Sequence, residues 1–149
     1  RYRYFADIAR LEWAIHLAWF AADVTAFTPL QWNETRDVLL DARLAIHPAC
    51  EAITSPYAIA DIWLAHQPDG VFPQNIDVKT QLIVVRPLWR PAIIAHTEAA
   101  HAAFVALMQG STLGEALDTA FALDPTFDFA SQWQTWISAA AITGIASAT

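Results

Sequence analysis

Apolar side chains recur three and four residues apart through the first twenty positions: Phe5, Ile8, Ala9, Trp13, Leu17 and Phe20, with Glu12 and His16 among them, while Asp7, Arg10 and Asp23 fall away from most of that row. The period predicts a helix over residues 2–22 with one wide apolar face. A polar turn at Thr28-Pro29 follows, and Asn33 in "QWNETRDVLLDA" predicts the cap of a short helix. "RLAIHPACEAITSPY" alternates briefly, with Leu44 and Ile46 to one side, and Pro48 interrupts it. That pattern predicts an edge or bulged strand pair. Ser55 as capping residue and Pro56 in the first turn then open a helix of about three turns, "YAIADIWLAHQ".

"PDGVFPQNID" has the composition of a loop, and "TQLIVVRPLWRPAIIAH" gives two β-rich runs around a Pro-containing turn, a predicted hairpin. Thr97 caps a helix that Gly110 stops; Thr112, with Glu115 three residues on, forms a capping box for the next; "FDFASQWQTWISAA" is a third. "ITGIASA" is expected to return to the hairpin as a last strand. The predicted class is α+β, mostly helical with a small antiparallel sheet of hairpin plus terminal strand, in a winged-helix-like order. The chain of 149 residues suits one domain over 1–149, or helices over 1–40 leading into an α+β domain over 41–149. No internal repeat is present.

Composition shifts attention to partners. Apolar residues make up 56% of the chain, with seven Trp and eight Phe, more than a core of this size needs, so part of the surplus is expected to face a partner. The net charge of −7 opposes non-specific attraction to nucleic acid or anionic lipid. "LMQGSTLGEALDTAF" has the outline of a helix-turn-helix, yet its second helix brings Glu115 and Asp118 where a DNA-reading helix brings cations and amides. After Arg90 there is no Lys or Arg, so no direct DNA contact is expected from residues 91–149. Residues 129–149 are free of charge, Asp128 just before them being the last charged residue, but Ser, Gln, Thr and Gly break their apolarity, and no membrane association is expected. One cysteine, Cys50, rules out an internal disulfide and a multi-cysteine zinc site, and with no cleavable signal pattern at the start a cytoplasmic location is expected.

Candidate chemistry is sparse. Glu12 and His16 share a helix face and have the spacing for a metal or a proton exchange, although an interface or structural role accounts for them as well. His47 and Cys50 place a base near a nucleophile, but a Pro-broken strand gives them no defined geometry, and a buried inert thiol is the expectation. His96 and His101, five apart, are expected to diverge on a helix and are discounted as ligands. Trp13, Trp63, His66 and Gln67 are candidate partner anchors beside Glu12 and His16, Trp being favoured at interface hot spots. With no phosphate loop and no nucleophile elbow, no cofactor, no metal and no catalytic residue are expected.

Five segments in order, "ADIARLEWAIHLA", "RLAIHPAC", "DIWLAHQ", "GSTLGEALDTA" and "DPTFDFA", resemble the region that follows the N-terminal domain of the HvfC/BufC family. The resemblance implies a C-terminal portion of a longer protein, whose upstream helical domain, assigned to DNA binding in the family, is absent from this chain. It also implies a bacterial, non-catalytic partner of a multinuclear-iron enzyme that modifies cysteines of a ribosomally made precursor peptide. Winged-helix-like peptide-recognition elements take such a peptide as an added strand, and "QLIVV" and "ITGIASA" are the candidate edges. The alternative is a transcriptional regulator whose DNA contacts lie in the missing domain. A metal-dependent enzyme using Glu12 and His16 is the weakest of the readings.

Overall fold

The computed structural model describes residues 3–146; Tyr2, where the first predicted helix begins, and residues 147–149, the end of the predicted last strand, lie outside the described residues. The protein is α+β and mostly helical. Helices α1 (Phe5–Phe20), α2 (Pro29–Glu34) and α3 (Ile59–Ala65) belong to the first half, and α4 (Glu98–Met108), α5 (Leu113–Leu123) and α6 (Phe129–Ser138) to the second. Strands β1 (Leu44–Ile46), β2 (Glu51–Ser55), β3 (Thr80–Val85), β4 (Ala92–Ala95) and β5 (Ile142–Ile145) form two antiparallel sheets, ordered β2-β3-β4 and β1-β5.

The three-stranded sheet is the middle layer. Ile83 and Val85 of β3 face a core completed by Phe104, Leu107, Leu113, Leu117 and Trp136 from the C-terminal helices. Leu82 and Val84 face a second core with Leu11, Ala14 and Ala18 of α1 and Ile59 of α3. A strand covered on both faces reads as an unbroken apolar run, which is why "LIVV" lacks alternation. The predicted hairpin is the pair β3-β4, in register from Leu82 opposite Ala95 to Val85 opposite Ala92.

Two strand expectations are corrected. The terminal strand does not return to the hairpin: β5 pairs with β1, Leu44 opposite Ile145, with an irregularity between Ala45 and Ile46. Nor do the strands either side of Pro48 pair with each other. The turn closed by Cys50 N–H on the His47 carbonyl, at 3.0 Å, passes the chain from one sheet to the other. Gly144 allows the close approach of β5 to Phe27, since a Cβ there would stand 2.8 Å from the ring.

Helix starts follow local hydrogen bonding. Thr97 and Thr112 cap as expected, the latter in a full box with Glu115, and Gly110 leaves α4 at φ 93°. Asn33 is not a cap but lies inside α2, because Thr28 and Gln31 form the box one turn earlier with Pro29 at the first helical position. Ser55 does not cap α3: it ends β2, its hydroxyl donating to Asp7 at 2.5 Å and accepting from Tyr57 N–H at 3.1 Å.

The first helix buries a different face from the one its large residues predict. Leu11, Ala14 and Ala18 are sealed against the sheet, whereas Phe5, Trp13, Leu17 and Phe20 are exposed. Alanines let the helix backbone lie close to the strands, and the bulky row is left on the outside.

Candidate functional site

Glu12, Trp13 and His16 project from the outer face of α1. The His16 ring stacks on Trp13 at 5.3 Å between centroids and meets Phe20 at 5.1 Å. Trp13 and Leu17 also line a shallow cleft of about 240 Å³ with Arg10 and Glu51. No hydrogen bond or ion pair joins Glu12 to His16 among the described residues. Trp63 is half-buried and packs on the second core beneath α1, while His66, the C-cap of α3, and Gln67 are exposed beyond it. The six residues therefore fall in two groups, one on α1 and one at the C-terminal end of α3 and just beyond it.

Cys50 is buried, and burial pushes its thiol up to about 12, far from the thiolate needed of a nucleophile. His47 does not address it. The imidazole Nδ1 accepts Ala49 N–H at 3.0 Å, which leaves the proton of the neutral ring on Nε2.

The discounted histidines come together. His96 precedes the cap of α4 and does not share its helical rotation, so its ring turns back onto His101, with Nδ1 to Nδ1 3.1 Å. Trp136 Nε1–H, which can only donate, bonds His96 Nε2 at 3.0 Å. The neutral His96 proton is thereby placed on Nδ1 and donates to His101 Nδ1, and His101 Nε2–H donates to Thr54 Oγ1 at 3.2 Å. Burial, then the neighbouring His101, pushes His96 down to about 3; burial, then Lys79, lowers His101. This neutral relay ties β4, α4, α6 and β2 together. It offers no free His96 lone pair to a metal, and no group of three or more His, Cys, Asp or Glu suited to one occurs among the described residues.

One wall of that relay is an open strand edge. His96 N–H donates to the Gln81 carbonyl at 2.8 Å, which fixes the phase of the ladder: Ile94 and Ala92 bond toward β3, and Ile93 and Ala95 turn their N–H and C=O outward. A groove of about 510 Å³ runs between this edge and α6, lined by Ile94, Ser131, Gln134, Thr135, Ser138 and Ala139. Of the two edges expected from the sequence, β3 is central and taken on both sides, and β5 is bonded to β1 with its Thr143 carbonyl also receiving Phe27 N–H. The edge that borders the groove is β4, which the Pro-flanked run "PAIIAH" concealed.

At the other end of the hairpin, Arg86 is 6% exposed and its guanidinium closes the C-terminus of α1. Nη1 donates to the Ala18 and Ala21 carbonyls at 2.8 and 2.7 Å, and Nη2 to Asp23 Oδ1 at 2.7 Å. A cleft of about 180 Å³ opens beside it, lined by Asp23, Val24, His47, Arg86, Leu88, Trp89 and Ala140. Nothing in the sequence joined these residues, although a single Arg ending a fully apolar strand was a signal of a buried charge with a partner.

No family model, curated protein or solved structure matches the chain. No helix among the described residues is long and apolar enough to cross a membrane.

Proposed function

We propose that this chain is a non-catalytic peptide-recognition subunit: an extended segment of a precursor peptide adds to the outer edge of β4, in the groove against α6, and is held there for a partner enzyme. The outward-facing backbone groups of Ile93 and Ala95, unpaired among the described residues and beside a groove, carry this reading. An added strand gains main-chain hydrogen bonds along the edge while its alternate side chains enter the groove and set selectivity. The groove wall offered by α6 is uncharged and polar, suited to small or hydrogen-bonding side chains. The resemblance to the HvfC/BufC family supplies the partner in this proposal, a multinuclear-iron enzyme that modifies cysteines of that peptide. The exposed Trp13, His16 and Phe20 of α1, on the far side of the sheet from α6, are the surface assigned to the enzyme.

Affinity capture from the native cells, comparing the natural protein with Ile93→Pro, tests this. Proline at 93 removes an outward N–H and leaves the β3 pairing intact. The expected result is an iron enzyme and a short Cys-containing peptide with the natural protein, and loss of the peptide alone with the variant. Peptide retained by Ile93→Pro, or specific DNA recovered in place of both, refutes the reading.

A further inference from the structure

The cleft at Arg86 has the features of a built site. Of the four residues other than glycine described with positive φ, three line it: Leu88 at 50°, Trp89 at 70° and Ala140 at 57°. Such backbone costs on the order of 1 kcal/mol or more per residue and collects where a ligand is clamped. Leu88 and Trp89 are the two central residues of the hairpin turn, closed by Arg90 N–H on the Pro87 carbonyl at 3.1 Å, and the turn leaves their side chains 92% and 69% exposed at the mouth of the cleft. Beneath them lie two polar side chains more than nine-tenths buried, Arg86 and His47. Arg86 Nε–H and His47 Nε2–H, the latter placed by the Ala49 bond, have no partner among the described residues. Among the described residues no side-chain nitrogen or oxygen sealed from solvent lacks a partner, so both atoms reach solvent, and the cleft is the opening their residues share.

The charges select the ligand. Asp23 and the carbonyl end of α1 repel an anion, and Arg86 with two N–H donors repels a cation. Asp23 Oδ1 is held by Arg86, while Oδ2 remains able to accept. We propose that this cleft binds an uncharged primary carboxamide on a small apolar body. Its carbonyl oxygen accepts from His47 and Arg86, its NH₂ donates to Asp23, and its body lies against Trp89 and Val24. The volume is below the roughly 300–1,000 Å³ of sites for drug-sized ligands and fits one fragment. A free small amide and a glutamine or asparagine side chain of a bound polypeptide share this chemistry.

Titration of the full chain, followed by the NMR shifts of the Trp89 indole N–H and the Ala140 amide, tests the site with four probes: benzamide, benzoate, benzamidine and N-acetylglutamine N′-methylamide. Saturable binding of an amide, with benzoate and benzamidine weaker by about tenfold or more, is expected. Tighter binding of benzamide identifies a free small amide, and tighter binding of the glutamine derivative a polypeptide side chain. Trp89→Ala, at an exposed position where folding is not at stake, is expected to weaken amide binding about tenfold. Asp23→Asn is expected to invert the preference, benzoate over benzamide. No saturable shift with either amide, benzoate equal to benzamide on the natural chain, or amide binding unchanged in Trp89→Ala overturns the proposal.

Discussion

At the residue scale, Trp136 and His96 fix each other's chemistry: an indole that can only donate decides which imidazole nitrogen carries the proton. Trp136→Phe keeps the ring in the core but strands the His96 acceptor. A loss of about 1–3 kcal/mol in urea unfolding is expected; a change within error would show that the relay contributes no stability. The same histidines set an acid limit. His47, His96 and His101 are all held below their unfolded value of 6.5 by burial, so the unfolded chain binds more protons below that pH. Stability is therefore fully present above pH 6.5 and is lost as pH falls toward about 3, where His96 titrates in the folded state, at about 1.4 kcal/mol per pH unit from His96 alone. Unfolding midpoints measured from pH 8 to pH 4 check the direction; stability constant to pH 4 contradicts it. These contacts were not legible in the sequence. A separation of five residues implies divergence only if both lie on one helix, and the cap at Thr97 leaves His96 outside it.

At the scale of the element, local signals were readable where the bonds they use are local. Thr112 with Glu115, Thr97 and Gly110 each satisfy backbone groups within a turn, and the structure has them as the sequence predicts. Asn33 and Ser55 failed because a better box at Thr28 and a long-range bond to Asp7 took their roles. Ala140 ends α6 in the left-handed region without being glycine, with Ala141 N–H reaching back to the Trp136 carbonyl at 2.9 Å. Ala140→Gly is expected to raise stability by about 0.5–1 kcal/mol by relieving that backbone, measured as a higher Tm. Because Ala140 also lines the Arg86 cleft, the variant separates strain from binding there.

Across the whole molecule, one guanidinium fastens α1 to the sheet. Arg86 reaches four carbonyls around the end of α1 and the Asp23 carboxylate, supplying the positive charge that the last turn of that helix lacks. Arg86→Met is expected to cost about 2–4 kcal/mol, with hydrogen-exchange protection lost in α1 before β3. Equal loss in both would mean that the helix and the sheet open as one unit and the clamp is not local. The placement of α1 also sets which surface meets partners. Its aromatic row is outside because alanines pack closer, leaving Phe20 76% exposed beside Trp13 and His16.

Sequence alone determined the α+β class, the extent of most helices, the hairpin, and the acidic stretch 91–149 without Lys or Arg, because each follows from periodicity, capping or charge within a short stretch of chain. Which strand is open, which histidines meet and where Arg86 finds its partners were decided only by tertiary structure. A strand's edge depends on neighbours up to 40 residues away or more, β5 joining β1 across nearly a hundred, and a buried polar group declares its role only through the atoms that fold around it.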